Sequence, residues 1–290
     1  MKKIFSAGTG LHANRSAAGT AVVFLILLFT SLLMMMPFVY SIVQSLKPME
    51  ELFAFPPKFF VQNPTTENYQ KLFQLTENLW VPFSRYVFNS VFVSVAGTAL
   101  YILVASMAAY SLAFGDFPGA KLFNEIVVQA LLFSSSVLAV SQYVILAKGR
   151  MLNTYWAVIL PALSAPLGLF LMRQFMEQMI PKSMLEAAQI DGAGTFTTFW
   201  RVVMPVVKPA WLTLIIFTFQ SLWSGAGNKY IYREDLKVLP TVLSQISAGG
   251  MARAGVAAAA AVVLMIPPIL VFMAAQRNVL ETMATSGIKE

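Results

Sequence analysis

The chain has 290 residues, of which 58% are hydrophobic and only 11% charged, and its mean hydropathy is +0.69. Soluble domains run nearer half apolar and a quarter charged, so this composition belongs in a lipid bilayer and leaves no room for a second, soluble domain. The formal charge of +7 is spread over every loop without a run of five basic residues, which fits the flanks of membrane spans and argues against a nucleic-acid surface.

Taken in chain order, residues 1–19 form a basic tail with Lys2, Lys3 and Arg15, and the apolar run after it continues through Val43. It is too long for the apolar region of a signal peptide, and no small-x-small cleavage site comes after it, so a retained first span is expected. Six apolar segments can be marked: Thr20–Val43, Val87–Phe114, Ile126–Ala147, Tyr155–Met172, Ala210–Gly225 and Ala254–Ala275. Each is close to the ~20 residues that a spanning helix needs. Hydrocarbon offers the backbone no partner, so each is expected to be helical, with Pro161, Pro166, Pro267 and Pro268 introducing kinks.

Between the first two spans, residues 44–86 carry Phe53, Phe55, Pro56, Pro57, Phe59, Phe60 and Trp80. The Pro-Pro pair forbids a continuous helix, and the aromatic content predicts a folded cap at the membrane interface. In the third span, Ser134-Ser135-Ser136 is an unusually polar interruption. In the last, Ala254, Gly255, Ala258, Ala259 and Ala261 form a small-residue face suited to close helix packing, within the chain or against a partner. Asn153, Gln220, Trp223 and Asn228 are the polar or amphipathic candidates for sugar hydroxyls, or else for contacts between helices.

A polar island at residues 178–208 separates the fourth and fifth spans. Ser183 with Glu186 three residues on has the form of a capping box, Gly192 is the residue type that ends a helix, Pro205 is expected to end the second helical stretch, and Pro209 to open the fifth span. The expected object is a helix, a turn and a second short helix over Phe196–Val202. Its spacing is Glu186-Ala187-Ala188, three residues, Gly192, nine residues, then Val202-x-Met204-Pro205. This resembles the EAA loop of ATP-binding-cassette (ABC) importer permeases in every interval. Around it, Pro64-Thr65-Thr66-Glu67-Asn68-Tyr69, Leu152-Asn153-Thr154-Tyr155-Trp156-Ala157, Arg173-Gln174-Phe175, Leu239-Pro240 and Ser286-Gly287-Ile288-Lys289 are similar to the sugar-transporting group. The similarity covers nearly the whole chain and is closest to the second permease of maltose-type importers. The third span departs from it, because the serines stand where that group has prolines.

The resemblance implies an all-α membrane protein of the type I ABC importer permease fold. About six transmembrane helices would occupy residues 20–275, with a cytoplasmic coupling helix between spans four and five and a cytoplasmic tail at residues 276–290. Basic residues divide almost evenly between the two sides, so the orientation, with both termini cytoplasmic in a bacterial plasma (inner) membrane, rests on the resemblance. It further implies that Ser183, Glu186, Ala187, Ala188, Asp191, Gly192, Ala193 and Pro205 couple the chain to an ABC ATPase dimer. A second homologous permease would complete the path, and an extracellular or periplasmic solute-binding protein would deliver the cargo. An oligosaccharide is the expected cargo, with a polyol, glycerol phosphate or modified sugar as the alternative.

The chain carries no phosphate-cradling Gly-x4-Gly-Lys-[Ser/Thr] loop. ATP and Mg are therefore expected on the partner subunits, and no catalytic residue, cofactor or metal on this one. With no cysteine and one histidine, His12, neither a disulfide, a multi-histidine site nor a His-Glu-x-x-His intramembrane protease is possible. A membrane scaffold or sensor is the competing reading from a different class.

Overall fold

The computed structural model describes residues 17–286 apart from 78, 134, 226 and 227. The tail residues Lys2, Lys3, His12 and Arg15, as well as Ser134 and the end from Gly287, lie outside the described residues. Among the described residues the fold is entirely helical, with no strand. Three helices are long and apolar enough to cross a membrane, within Gly19–Ser45, Phe83–Phe114 and Met251–Gln276, and the number rises to five if two bent helix pairs each count as one span.

The first helix, α1 (Ala17–Ser45), is apolar on all sides, and its spanning stretch is entirely unburied in the isolated chain. An all-round apolar helix needs an apolar environment rather than water. It leads into α2 (Met49–Leu52) and α3 (Glu67–Glu77), with the Pro56-Pro57 pair in irregular chain between them. This region is a folded cap, as the sequence leads one to expect. The buried Asn68 amide donates to the carbonyls of Ser45 at 2.9 Å and Lys47 at 2.8 Å, which satisfies groups left open at the end of α1. The Glu51 carboxylate accepts from the backbone N–H of Gln62 at 2.7 Å. Gly255 lies opposite, and a Cβ there would sit 2.2 Å from the Asn68 side-chain oxygen, so part of the small-residue face serves an internal contact.

The central mast is α4 (Phe83–Phe114). The third apolar segment is not one helix: α5 (Ala120–Ala130) and α6 (Ser135–Lys148) are separated by a turn at residues 131–133. There the N–H groups of Leu131, Leu132 and Phe133 bond three residues back, a tightened ending ahead of a serine run with poor helix propensity. The fourth segment is also broken. Here α7 (Trp156–Leu163) and α8 (Pro166–Met179) meet at a 43° bend. Of the four prolines expected to kink spans, Pro166 marks this break, whereas Pro161, Pro267 and Pro268 lie inside helices.

After the polar island, α12 (Lys208–Trp223) packs along α4 and α8, α13 (Leu239–Ser247) covers the opposite end, and α14 (Ala254–Ser286) packs on α12 and α1. The island itself contains α9 (Lys182–Ile190), α10 (Thr195–Thr197) and α11 (Met204–Val206). The last helix continues well past Ala275, so the segment expected as a tail is helical to Ser286. Gly97 permits a close approach of α4 to α12, since a Cβ there would lie 2.6 Å from a Leu222 methyl.

The apolar interior is divided. One core gathers Tyr101, Ala109, Met172, Met176, Phe199, Val203 and Val207 at the end that carries the island. Another gathers Val93, Ala157, Val158, Ile159, Leu222, Tyr230 and Val238 at the opposite end. Leu163, the last residue of α7, borders both.

Candidate functional site: the island at residues 178–208

The island begins where α8 stops. Ile180 is extended and buried, and Pro181, with φ −69° and ψ 147°, occupies the cap position of α9. The helix therefore starts at Lys182, and Ser183 lies inside its first turn. A residue already in helical geometry cannot form the capping box that Ser183 and Glu186 suggest. Proline supplies the start instead, with φ preset for entry.

The end of α9 agrees with expectation. Gly192 has φ +77°, the left-handed region that favours glycine. The Ala193 N–H reaches the Ala188 carbonyl at 2.9 Å, and the Gly192 N–H reaches the Gln189 carbonyl at 3.0 Å. Together these are the paired bonds of a Schellman ending, with Asp191 as the C-cap.

The helix is two-sided. Met184, Leu185 and Ala188 face the core, whereas Glu186, Ala187, Gln189, Ile190, Asp191 and Gly192 face outward. Ile190 is 86% exposed and Phe196 67% exposed, a poor arrangement for apolar side chains unless something covers them. Sequence reasoning placed both residues on helices but did not single them out. Their signal was present, as large apolar side chains inside a polar segment.

The second helical run passes through Thr195–Val206 without stopping at Pro205. Proline cannot donate to the carbonyl four residues back, and its ring crowds that group. The turn just before it, Thr198–Val203, is wound as a π-helix, which makes the needed room. Phe199, Val203 and Val207 point into the core, and Phe199 packs edge-on against Tyr110 of α4 at 5.4 Å. The chain then bends at Val207 into α12, where Pro209 sits in the first turn. Ser183, Glu186, Ala187, Asp191, Gly192 and Pro205 are all exposed, whereas Ala188 is buried and Ala193 partly buried.

The candidate sugar contacts divide differently. The Asn153 side-chain oxygen accepts from the N–H groups of Tyr232 at 2.6 Å and Arg233 at 3.1 Å. The Asn228 amide donates to Thr241 Oγ1 at 2.7 Å, and the Trp223 indole donates to the Leu264 carbonyl at 3.0 Å. These three residues hold loops and helices together. Gln220 is exposed on the wall of a 610 Å³ groove between α1, α12 and α14, beside the stacked rings of Phe219 and Trp223.

At the end opposite the island, Asn89 of α4 is wholly buried. Its amide donates to the carbonyls of Asp235 and Lys237, both at 2.9 Å, and its oxygen accepts from the Tyr155 hydroxyl at 2.7 Å. In the same loop, hydrogen bonds from the Arg233 guanidinium hold the Asp235 carboxyl below the usual carboxylate range. No group of three or more His, Asp or Glu able to hold a metal occurs among the described residues.

No protein-family profile matches the sequence. Among individual proteins, the chain is 26% identical over 269 residues to the arabinooligosaccharides transport system permease protein AraQ of Halalkalibacterium halodurans, covering 90% of this chain and 93% of AraQ. It is 30% identical over 212 residues to the polygalacturonan/rhamnogalacturonan transport system permease protein YtcP of Bacillus subtilis, covering 72% of this chain and 70% of YtcP. Its backbone matches a chain of a bacterial ABC transporter that imports the acidic polysaccharide alginate, with a TM-score of 0.73 and 20% identity, over 93% of this chain and 99% of that one. With a helical fold and these relatives, the chain belongs to the carbohydrate-type permease family of ABC importers.

Proposed function

We propose that this chain forms half of the translocation path of an ATP-driven importer and carries out no covalent chemistry itself. In this reading α5 and α6 together make the third of six spans, α7–α8 the fourth, and α12 the fifth. The island faces the cytoplasm with both termini, and residues 44–86 face outward. A second homologous permease completes the path, and an ABC ATPase dimer, which binds ATP and Mg, docks on the island. A solute-binding protein delivers the cargo from outside. AraQ, YtcP and the alginate importer handle saccharides of several residues, which supports an oligosaccharide as the cargo here.

The observation that carries this reading is the outer face of α9. It presents small residues, two carboxylates and the exposed side chain of Ile190, and beyond the Gly192 turn α10 adds the exposed Phe196. Binding energy at protein interfaces is concentrated in a few anchors that fill well-packed, desolvated pockets, ringed by near-neutral contacts that exclude water. In the transport cycle, closure of the ATPase dimer would push α9. The push would pass through Ile180–Pro181 into α8 and through Val207 into α12, both of which pack on α4.

Two measurements test the assembly and its orientation. Gentle detergent extraction and native mass measurement are expected to give two different permeases with two ATPase subunits. A lone monomer or a homodimer, with the ATPase present in the cell, would contradict the proposal. Because the chain has no cysteine, a single Gln189→Cys substitution can be probed without background. It should stay unlabelled by an impermeant thiol reagent in intact cells and react after permeabilisation. Labelling of intact cells would reverse the orientation.

A further inference from the structure

The length of α4 sets the height of the cap. A helix rising 1.5 Å per residue clears ~30 Å of hydrocarbon in about 20 residues. Counted back from Phe114, two residues before Asp116, the hydrocarbon ends at roughly residue 94. The helix continues from there to Phe83, about 16 Å further, and a tilt of ~20° shortens it by less than about a tenth. The headgroup layer takes up only ~5–7 Å of that surplus. Ser84, Arg85, Asn89 and Ser90 make this end of α4 polar, as a helix end outside the hydrocarbon should be.

Trp80, which precedes the helix, therefore stands beyond the depth at which tryptophan anchors a chain to lipid. It is 99% exposed. An indole carries one of the largest apolar areas of any side chain, and covering it with a partner is correspondingly favourable. Beside Trp80, an open crevice of about 620 Å³ is lined by Val81, Pro82, Ser84, Arg85, Phe88 and Asp235. Its guanidinium is oriented but not neutralised. Arg85 donates through Nε to the Asp235 carbonyl at 3.3 Å and through a terminal nitrogen to the Tyr155 hydroxyl at 3.4 Å, and it lies over the Phe88 ring at 5.6 Å. The carboxylate of the crevice, Asp235, is taken by Arg233 at 2.7 Å, and Arg85 has no ion pair among the described residues. A carboxylate from outside the chain is the complement that the crevice lacks.

We infer that Trp80 and the Arg85 crevice form a docking site for the solute-binding protein, which seats a carboxylate against Arg85 and covers the indole. The inference rests on the proposed delivery of cargo at this end. Tryptophan and arginine are the side chains in which interface energy concentrates. A partner that crosses the same bilayer packs along the spans, whereas this patch lies above them, within reach of a soluble protein.

The test follows ATP hydrolysis by the reconstituted complex as purified, saccharide-loaded binding protein is titrated in. For Trp80→Ala the half-saturating concentration is expected to rise about tenfold, while the rate at saturation changes little. Arg85→Gln should raise it as well and flatten its dependence on salt, because a charge pair is lost. With no cysteine in the chain, Trp80→Cys can carry a photoreactive label whose readout does not depend on binding strength. The label should cross-link to the binding protein. Cross-linking to the second permease or to lipid alone would overturn the site, as would titration curves unchanged by both Trp80→Ala and Arg85→Gln, and the importer reading survives either result. If the binding protein does not stimulate the unsubstituted complex at all, the delivery reading falls and the docking site with it. Failure of the Trp80→Ala complex to assemble would give Trp80 a structural role and also overturn the proposal.

Discussion

Gly192→Val is expected to abolish ATP-driven uptake while membrane insertion and expression stay near wild type. At φ +77° an L-residue costs about 1–2 kcal/mol, and a β-branched one sits at the unfavourable end of that range. The cost falls on the paired hydrogen bonds that end α9, so the last turn, with Ala188 and Ala193, loses its fixed position. A side chain at this position meets no atom of the chain within 4 Å, so nothing inside the protein is disturbed. It would project instead from the surface on which the ATPase is proposed to dock. Gly192→Asn separates the two effects, because asparagine tolerates left-handed geometry but still fills the space. If contact dominates, Asn is as damaging as Val; if backbone geometry dominates, Asn recovers part of the activity. The readout is cargo-stimulated ATP hydrolysis by the reconstituted complex. Full stimulation with wild-type uptake in Gly192→Val would remove the island from the coupling path.

Asn89→Leu is expected to be the most destabilising single change at the opposite end. Leucine keeps the approximate shape of the side chain but removes three part-buried hydrogen bonds, so that the Lys237 carbonyl loses its Asn89 donor and the Asp235 carbonyl and Tyr155 hydroxyl are left with long contacts to Arg85. Unsatisfied buried groups cost ~1–3 kcal/mol each, so a total on the order of 3–5 kcal/mol is expected. For a chain of this size that corresponds to a fall of about 10 °C in Tm for the detergent-extracted protein. The Asp235–Lys237 backbone, released from α4, would lose its fixed position with it. A fall of less than about 2 °C would show that this buried asparagine does not hold the loop.

The parts of this protein that were legible in its sequence are those governed by local chemistry. Gly192 could be assigned its turn because few other residues accept positive φ, and the Pro56-Pro57 pair could be read as irregular because proline has no N–H. Hydropathy located the apolar segments but not their breaks. A run such as Ile126–Ala147 has the same mean hydropathy whether it is one helix or two, and only Pro166 among the four spanning prolines marks an interruption. The capping box at Ser183 failed because Pro181 starts α9 two residues earlier. Asn153 and Asn228 read as possible ligand contacts until their backbone and hydroxyl partners, distant in sequence, were seen. The bonds of the Tyr101 hydroxyl to the Ala165 carbonyl and the Gly168 N–H, at the start of α8, were invisible for the same reason, since nothing near Tyr101 in the chain announces partners more than 60 residues away. The exposed Ile190 and Phe196 were readable in principle, and their significance came from their exposure.

In the proposed cycle this permease turns ATP hydrolysis on a partner into movement of a saccharide. The most direct measurement is uptake of labelled oligosaccharide into proteoliposomes containing the whole complex, with ATP sealed inside and the loaded binding protein outside. Uptake should require both and should stop when ATP is replaced by a non-hydrolysable analogue. Equal uptake without ATP, or without the ATPase subunits, would contradict the account.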